Sequence, residues 1–303
     1  MYRPQCEGLP CDGTSVTSVS YIRRDVVPPG RPILIVGMEG WIDPGYAAAT
    51  AAASMLEQIE TRALAIFDAD EYIDLRARRP RLRIEDGVRG RIYWPGPRLR
   101  VGMDRRGSGV AFLVGPEPDL RWRPFAEEVR DLAVELGVTM IVGLGAFPAA
   151  TPHTRPVTVT STASDQELAA RIGYMQGARE RPARMIDVIG SYCQEVGIPS
   201  IGLSARVPHY VGQSPYPAGS IALLESLSLI TGLSLDLSDL RAAADATREQ
   251  LDELIAQSDE QTAMVHQLER QYGADDLNVV SERDLPSGDE LAEDIERYLR
   301  GDL

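Results

Sequence analysis

Short apolar runs rich in β-branched residues recur along the chain. Each ends in glycine or a polar loop and is followed by a stretch with helical spacing. "ILIVG" (33–37) passes through "MEGWID" to Pro44 and the alanine-rich "GYAAATAAASMLEQIE". "VAFLVG" (110–115) passes through "PEPDLRWRP" to a segment in which Phe125, Val129, Leu132, Ala133 and Leu136 fall on one helical face. "MIVGLG" (140–145) follows that helix, and "PSIGLSARV" (199–207) precedes another helix from about Ala218 to Thr231. A run apolar at consecutive rather than alternate positions is a strand buried on both faces. Such strands alternating with helices predict an α/β fold, a largely parallel or mixed sheet in a three-layer α/β/α sandwich. Asp43 and Pro44 read as N-cap and first residue of the first helix. Asp86-Gly87 and Pro95-Gly96-Pro97 read as hairpin turns.

The last quarter of the chain is different. Of 45 acids, 19 lie in residues 234–303, against 6 arginines, whereas residues 1–233 are nearly balanced. Leu240, Ala244, Thr247, Leu251, Leu254, Ser258, Gln261, Val265, Leu268 and Tyr272 step by four and three, which is heptad spacing. The polar members Ser258 and Gln261 interrupt that seam, so a break near Gln257 to Asp259 predicts a helical hairpin. These shifts divide the chain into an α/β/α core over 1–233 and an acidic helical region over 234–303.

Charge and residue usage exclude several function classes. A net charge of −14 is unsuited to nucleic acid or an anionic membrane surface, both of which require clustered cations. The chain has no run of about twenty apolar residues, and its first residues lack the order of a signal peptide, so the expected place is the cytoplasm. Cys6, Cys11 and Cys193 contain no C-x-x-C, so neither a metal site nor a disulfide framework is expected. Every cation is arginine, which removes Schiff-base chemistry and a phosphate-loop lysine. Gly143-x-Gly145 lacks the third glycine of a dinucleotide loop and runs into Pro148, so no cofactor is expected.

If the four strands are parallel, the loops that follow them emerge at one sheet edge, where open α/β sheets bind ligands. Those loops carry Glu39, Trp41, Asp43, Glu117, Asp119, His153, Arg155, Arg206 and His209, the candidate cleft residues. A carboxylate beside a histidine is an acid–base pair, and arginine grips phosphate or carboxylate. Each also has a plainer role: Asp43 as a helix cap, the acids as solvated loop charges, and the histidines as rigid corners, since both follow proline.

Together "GMEGWIDPGYAA", "GPEPDLRWRPFAEEVRDLAVELGV", "IVGLGAFPAATPHTRPVTVTSTA" and "LSARVPHYVGQSPYPAGSIALLESLSLITGLSLDL" resemble the actinobacterial branch of the PAC2 family, named for proteasome assembly chaperone 2. The resemblance runs from about Arg31 to Tyr272. It implies a phosphorylase/hydrolase-like α/β/α core with a small helical C-terminal region. It also implies a non-catalytic assembly, scaffold or chaperone-type protein with protein partners or self-association as a homo-oligomer. The alternative is a protein that binds or turns over a nucleoside or another phosphate-bearing metabolite in the sheet-edge cleft. An acidic helical region contacting a cationic surface such as "DLRARRPRLRI" (74–84), on the same chain or a second copy, is a further expectation.

Overall fold

The computed structural model describes residues 20–26, 30–40, 42–172, 180–212 and 214–272. In chain order these form β1 (Tyr21–Arg23), β2 (Ile33–Glu39), α1 (Ala47–Gln58), β3 (Thr61–Phe67), α2 (Ala69–Tyr72), β4 (Arg81–Glu85), β5 (Val88–Tyr93), β6 (Arg98–Met103), β7 (Gly109–Pro116) and α3 (Trp122–Glu135). Then come β8 (Met140–Ala149), β9 (Val159–Ala163), α4 (Gln166–Ile172), α5 (Met185–Gln194), β10 (Ser200–Pro208), α6 (Pro217–Thr231), α7 (Ser238–Ala256) and α8 (Asp259–Gln271).

Eight strands make one mixed sheet in the order β1-β3-β6-β7-β2-β8-β10-β9. The central four, β7, β2, β8 and β10, are mutually parallel. The outer strands pair antiparallel. Burial follows the two-residue period of the central strands. On β2, Leu34 and Val36 face α3 and α5, whereas Ile35 faces α1 and α6. On β7, Ala111 and Leu113 join the first layer and Val110 and Phe112 the second. Consecutive apolar residues thus serve both faces, and the architecture is the expected three-layer α/β/α sandwich.

One face of the β8–β10 pair is not apolar but small. Gly143 and Gly145 on β8, with Gly202 and Ser204 on β10, form a trough that receives Ile186 and Arg184 from the start of α5. A Cβ on Gly143 would collide with Ile186, and one on Gly145 would collide with the Arg184 guanidinium. The Gly-x-Gly of β8 is therefore a packing device for α5.

The break between α7 and α8 falls at Gln257 and Ser258, where the Ser258 hydroxyl caps α8 by accepting the Gln261 amide. No residue of the 19-residue α7 is buried, although Leu240 and Leu251 pack on the α1/α6 core. Val265 and Leu268 of α8 are buried. Upstream, Leu233 and Leu237 belong to that same core, and Gln58 exchanges two hydrogen bonds with the backbone of Asp236 at 2.7 and 2.9 Å. Only part of the heptad seam is inward, since Leu254 is exposed.

Asp86 and Gly87 turn the β4–β5 hairpin with positive φ at both residues, as a two-residue turn of this kind requires. Pro95-Gly96-Pro97 is not a second hairpin. β5 pairs only with β4, while β6 pairs with β3 and β7 in the main sheet.

Candidate functional site

The parallel strands deliver their carboxyl ends, Glu39, Pro116, Ala149 and Pro208, to one sheet edge. Two helix N-termini meet there. The first is that of α1, reached through a 3-10 turn in which Gly45 and Tyr46 both have positive φ. This turn shifts the start of α1 three residues beyond the expected position, and Asp43 still reaches it. Its carboxylate accepts the amides of Ala48 at 3.0 Å and Ala49 at 2.9 Å. The second is that of α5, where Glu117 Oε1 accepts the Met185 amide at 2.9 Å across 68 residues of sequence. Asp187 closes the same helix end by accepting the Arg184 amide at 2.8 Å. Both helix ends are thus filled by the chain's own carboxylates, at the positions where a bound anion would receive the free amides.

Asp43, Glu117 and Arg184 line one cavity of about 30 Å³ with Gly40, Ile42 and Gly145. That is space for about one water molecule. Burial raises the Asp43 carboxyl above its ordinary range against the three α1 amides that favour its charge. Burial likewise raises Glu117, opposed by the Met185 amide and the Arg184 guanidinium. Arg184 is held across the trough by its Nη1, which donates to Ser204 Oγ at 2.9 Å. A larger, open depression of about 680 Å³ lies between α5 and the β9–β10 edge, bordered by Glu180 and Arg181. It contains none of the candidate residues.

The Pro-His loop after β8 has another environment. His153 is buried, its side chain 2% exposed. The Tyr210 oxygen accepts the His153 backbone amide at 2.7 Å and lies 2.7 Å from Nδ1. With the Tyr210 proton donated to Nδ1, Nε2–H donates to Asp252 Oδ1 of α7 at 2.9 Å. The backbone amide and both ring nitrogens of the histidine are consumed by this network. Next to it, the Thr154 hydroxyl donates to Glu269 of α8 at 2.5 Å, and the Tyr272 hydroxyl donates to the Pro156 carbonyl at 2.8 Å. The α7–α8 hairpin thus clasps the loop at three successive points. Burial pushes the Tyr210 phenol up to about 12, so it acts as a hydrogen-bonding hydroxyl rather than a phenolate.

The other candidates are scattered. His209 opens a 3-10 turn and places Nδ1 3.3 Å from the Ala149 carbonyl, joining the ends of β8 and β10. Glu39 is exposed and Arg155 is exposed. Arg206 is half-buried and its amide donates to the Thr158 carbonyl at 2.9 Å. Asp119 accepts the Asp74 amide at 2.9 Å and pairs with Arg78 at 3.4 Å, anchoring the arginine-rich segment. Trp41 lies outside the described residues. The structure therefore joins Asp43 and Glu117 in one cavity, whose lining includes neither histidine. Arg184 and Asp252, which help organise these two places, carry no motif in the sequence, and Tyr210 stands in the Val-Pro-His-Tyr stretch without being a candidate itself. The one available signal was the pair of small residues at Gly143 and Gly145, which requires a large side chain opposite.

The PAC2 family model matches residues 37–255. The chain belongs to the PAC2 family. Among solved structures, a Mycobacterium tuberculosis protein of unknown function is 32% identical, covering 87% of this chain and 94% of that one, with a TM-score of 0.78. A proteasome-assembly chaperone homologue from the same organism is 34% identical over 77% of this chain and 99% of its own, with a TM-score of 0.71. An archaeal proteasome activator from Pyrococcus furiosus is 15% identical over 77% of this chain and 97% of its own, with a TM-score of 0.59, and shares the fold. No functionally curated protein matches. Like other chains of the PAC2 fold, this one presents helices on both sheet faces, and among its described residues no helix is long and apolar enough to cross a membrane.

Proposed function

We propose that this PAC2 protein is a non-catalytic assembly or scaffold factor that works through protein surfaces and takes proteasome subunits as partners. The observation that carries the reading is the state of the sheet edge. Small-molecule sites in proteins have volumes of roughly 300–1,000 Å³. Here the crevice at the carboxyl edge holds about 30 Å³, because Asp43, Glu117 and Arg184 fill it and cap the helices around it, and the depression of about 680 Å³ beside α5 is open and holds none of the candidate residues. The Pro-His loop is spent on a structural clasp rather than offering a free imidazole. Kinship with a proteasome-assembly chaperone homologue supports the choice of partner.

The test combines two measurements on the full chain. Separately expressed proteasome α- and β-subunits from the same source cell are mixed with and without it, and the yield of assembled particle is followed on native gels. Thermal unfolding is recorded against a panel of nucleosides with inorganic phosphate. The proposal expects altered assembly and no thermal shift. A ligand present at about 100 times its Kd adds roughly 2.7 kcal/mol of stability, well within reach of the second assay. A clear shift with a nucleoside or phosphate, and no effect on assembly, overturns the proposal.

A further inference from the structure

We propose that the β1-β3-β6 part of the sheet, on the side covered elsewhere by α1 and α6, is the docking site for an acidic amphipathic helix supplied by a proteasome-subunit partner. On that side α1 and α6 rest on Phe112 of β7, Ile35 of β2, Val142 of β8 and Leu203 of β10. Among the described residues, none of those packed with them comes from β1, β3 or β6. The pairing register gives what lies there instead. Ile22, Ile66, Arg98 and Val114 stand side by side across β1, β3, β6 and β7. Ala63, Arg100 and Phe112 make the next row. Arg24, two residues beyond Ile22 and on the same side, continues β1 by donating its amide to the Leu64 carbonyl at 2.8 Å. Ile22 is 71% exposed, and Ile22, Ala63 and Ile66 pack into neither core layer.

Width fixes the kind of element that fits. Neighbouring strands lie about 4.8 Å apart, and a helix with its side chains is about 10–12 Å across, so three strands offer the breadth of one helix. A three-layer sandwich covers both faces of its sheet with helices, and this half of one layer has none among the described residues.

Charge fixes the chemistry of that helix. The two rows hold three arginines and no acid, in a chain whose net charge is −14. Arg24 and Arg98 are exposed and form no ion pair among the described residues. Arg100 is fixed by two hydrogen bonds to Thr61, from Nε to Oγ1 and from Nη2 to the carbonyl, both 2.8 Å, which keeps Nη1 for an acceptor from outside. A carboxylate is the group a guanidinium binds best, and the arginine stems add apolar cover around it. The occupant therefore carries an apolar stripe that meets Ile22, Ile66 and Val114, bordered by Asp or Glu at helical spacing. That the partner is a proteasome subunit rests on the reading under Proposed function; the shape and charge of the site do not.

Calorimetric titration of the full chain with purified proteasome α-subunits from its source cell measures the contact. Ile22→Ser/Ile66→Ser and, separately, Arg24→Glu/Arg98→Glu are each expected to raise the dissociation constant at least about tenfold. The arginine pair is on the surface and is expected to leave circular dichroism unchanged, so it carries the test if the isoleucine variant unfolds. Arg123→Glu/Arg270→Glu, exposed on α3 and α8, makes the same change in net charge and is expected to bind as the wild type does. Irradiation of a chain carrying Ile22→p-benzoylphenylalanine is expected to join it to the α-subunit. A wild type that binds no α-subunit overturns this inference together with the proteasome reading. Binding unchanged by the Arg24/Arg98 variant, or weakened equally by the Arg123/Arg270 control, overturns this inference alone. So does a cross-link formed only within the chain or to a second copy.

Discussion

Replacing His153 and Asp252, singly and together, probes the clasp that joins the helical hairpin to the sheet edge. His153 is buried and both its ring nitrogens are bonded, whereas the Asp252 side chain is 53% exposed. A hydrogen bond to a charged partner contributes about 1.5–3 kcal/mol, but half-exposure brings this one toward about 1 kcal/mol. His153→Ala also takes away the acceptor of the half-buried Tyr210 hydroxyl, which keeps the backbone amide of residue 153, and leaves a void, for an expected total of about 2–3 kcal/mol. Asp252→Ala is expected to cost about 1 kcal/mol. Since each replacement removes the same bond, the double variant should lose about 1 kcal/mol less than the sum of the singles. Urea unfolding of the full chain, followed by circular dichroism, gives the cycle. Hydrogen exchange of α8 amides in Asp252→Ala, expected to accelerate ahead of the sheet, supplies the local reading. Additive singles with unchanged α8 exchange would show that the clasp joins nothing.

Gly143→Ala is expected to destabilise by about 2–3 kcal/mol in the same assay, because the new methyl meets the branched Ile186 at its Cβ as well as its tips and β8 and α5 must part. Gly145→Ala, which meets only the movable end of Arg184, should cost less. Glu117→Gln tests the buried carboxyl. Its folded pKa is raised by burial, so the wild type regains stability as pH falls through that value and the gain is complete below the unfolded value of about 4. The stability advantage of the variant should therefore be largest near neutrality and shrink toward pH 4; a difference independent of pH would contradict the assignment. Burial pushes the Cys193 thiol up to about 12, so in a Cys6→Ser/Cys11→Ser background no reaction with a thiol reagent is expected at pH 8 until urea unfolds the chain.

Local patterns carried the layers of the fold. Consecutive apolar residues in 33–36 and 110–114 have partners on both faces, and the interrupted heptad near Ser258 is a real turn. What local patterns could not carry is pairing across distance. His153 meets Asp252 99 residues away, and Glu117 caps a helix 68 residues on, so neither contact leaves a spacing to read. Arg184 escaped notice because an arginine before a helix is ordinary, and only the glycines opposite reveal where it lies. Pro95-Gly96-Pro97 read as a hairpin because its composition is that of a turn. Strand partners, set by the whole sheet, send β6 to β3 and β7 instead.

Sedimentation velocity of the full chain mixed with purified proteasome α-subunits from its source cell tests most directly whether this protein acts through protein contacts. A faster boundary containing both proteins in fixed proportion, unaffected by nucleosides or phosphate, is the predicted result. Two boundaries that sediment as they do separately at every ratio would contradict the account.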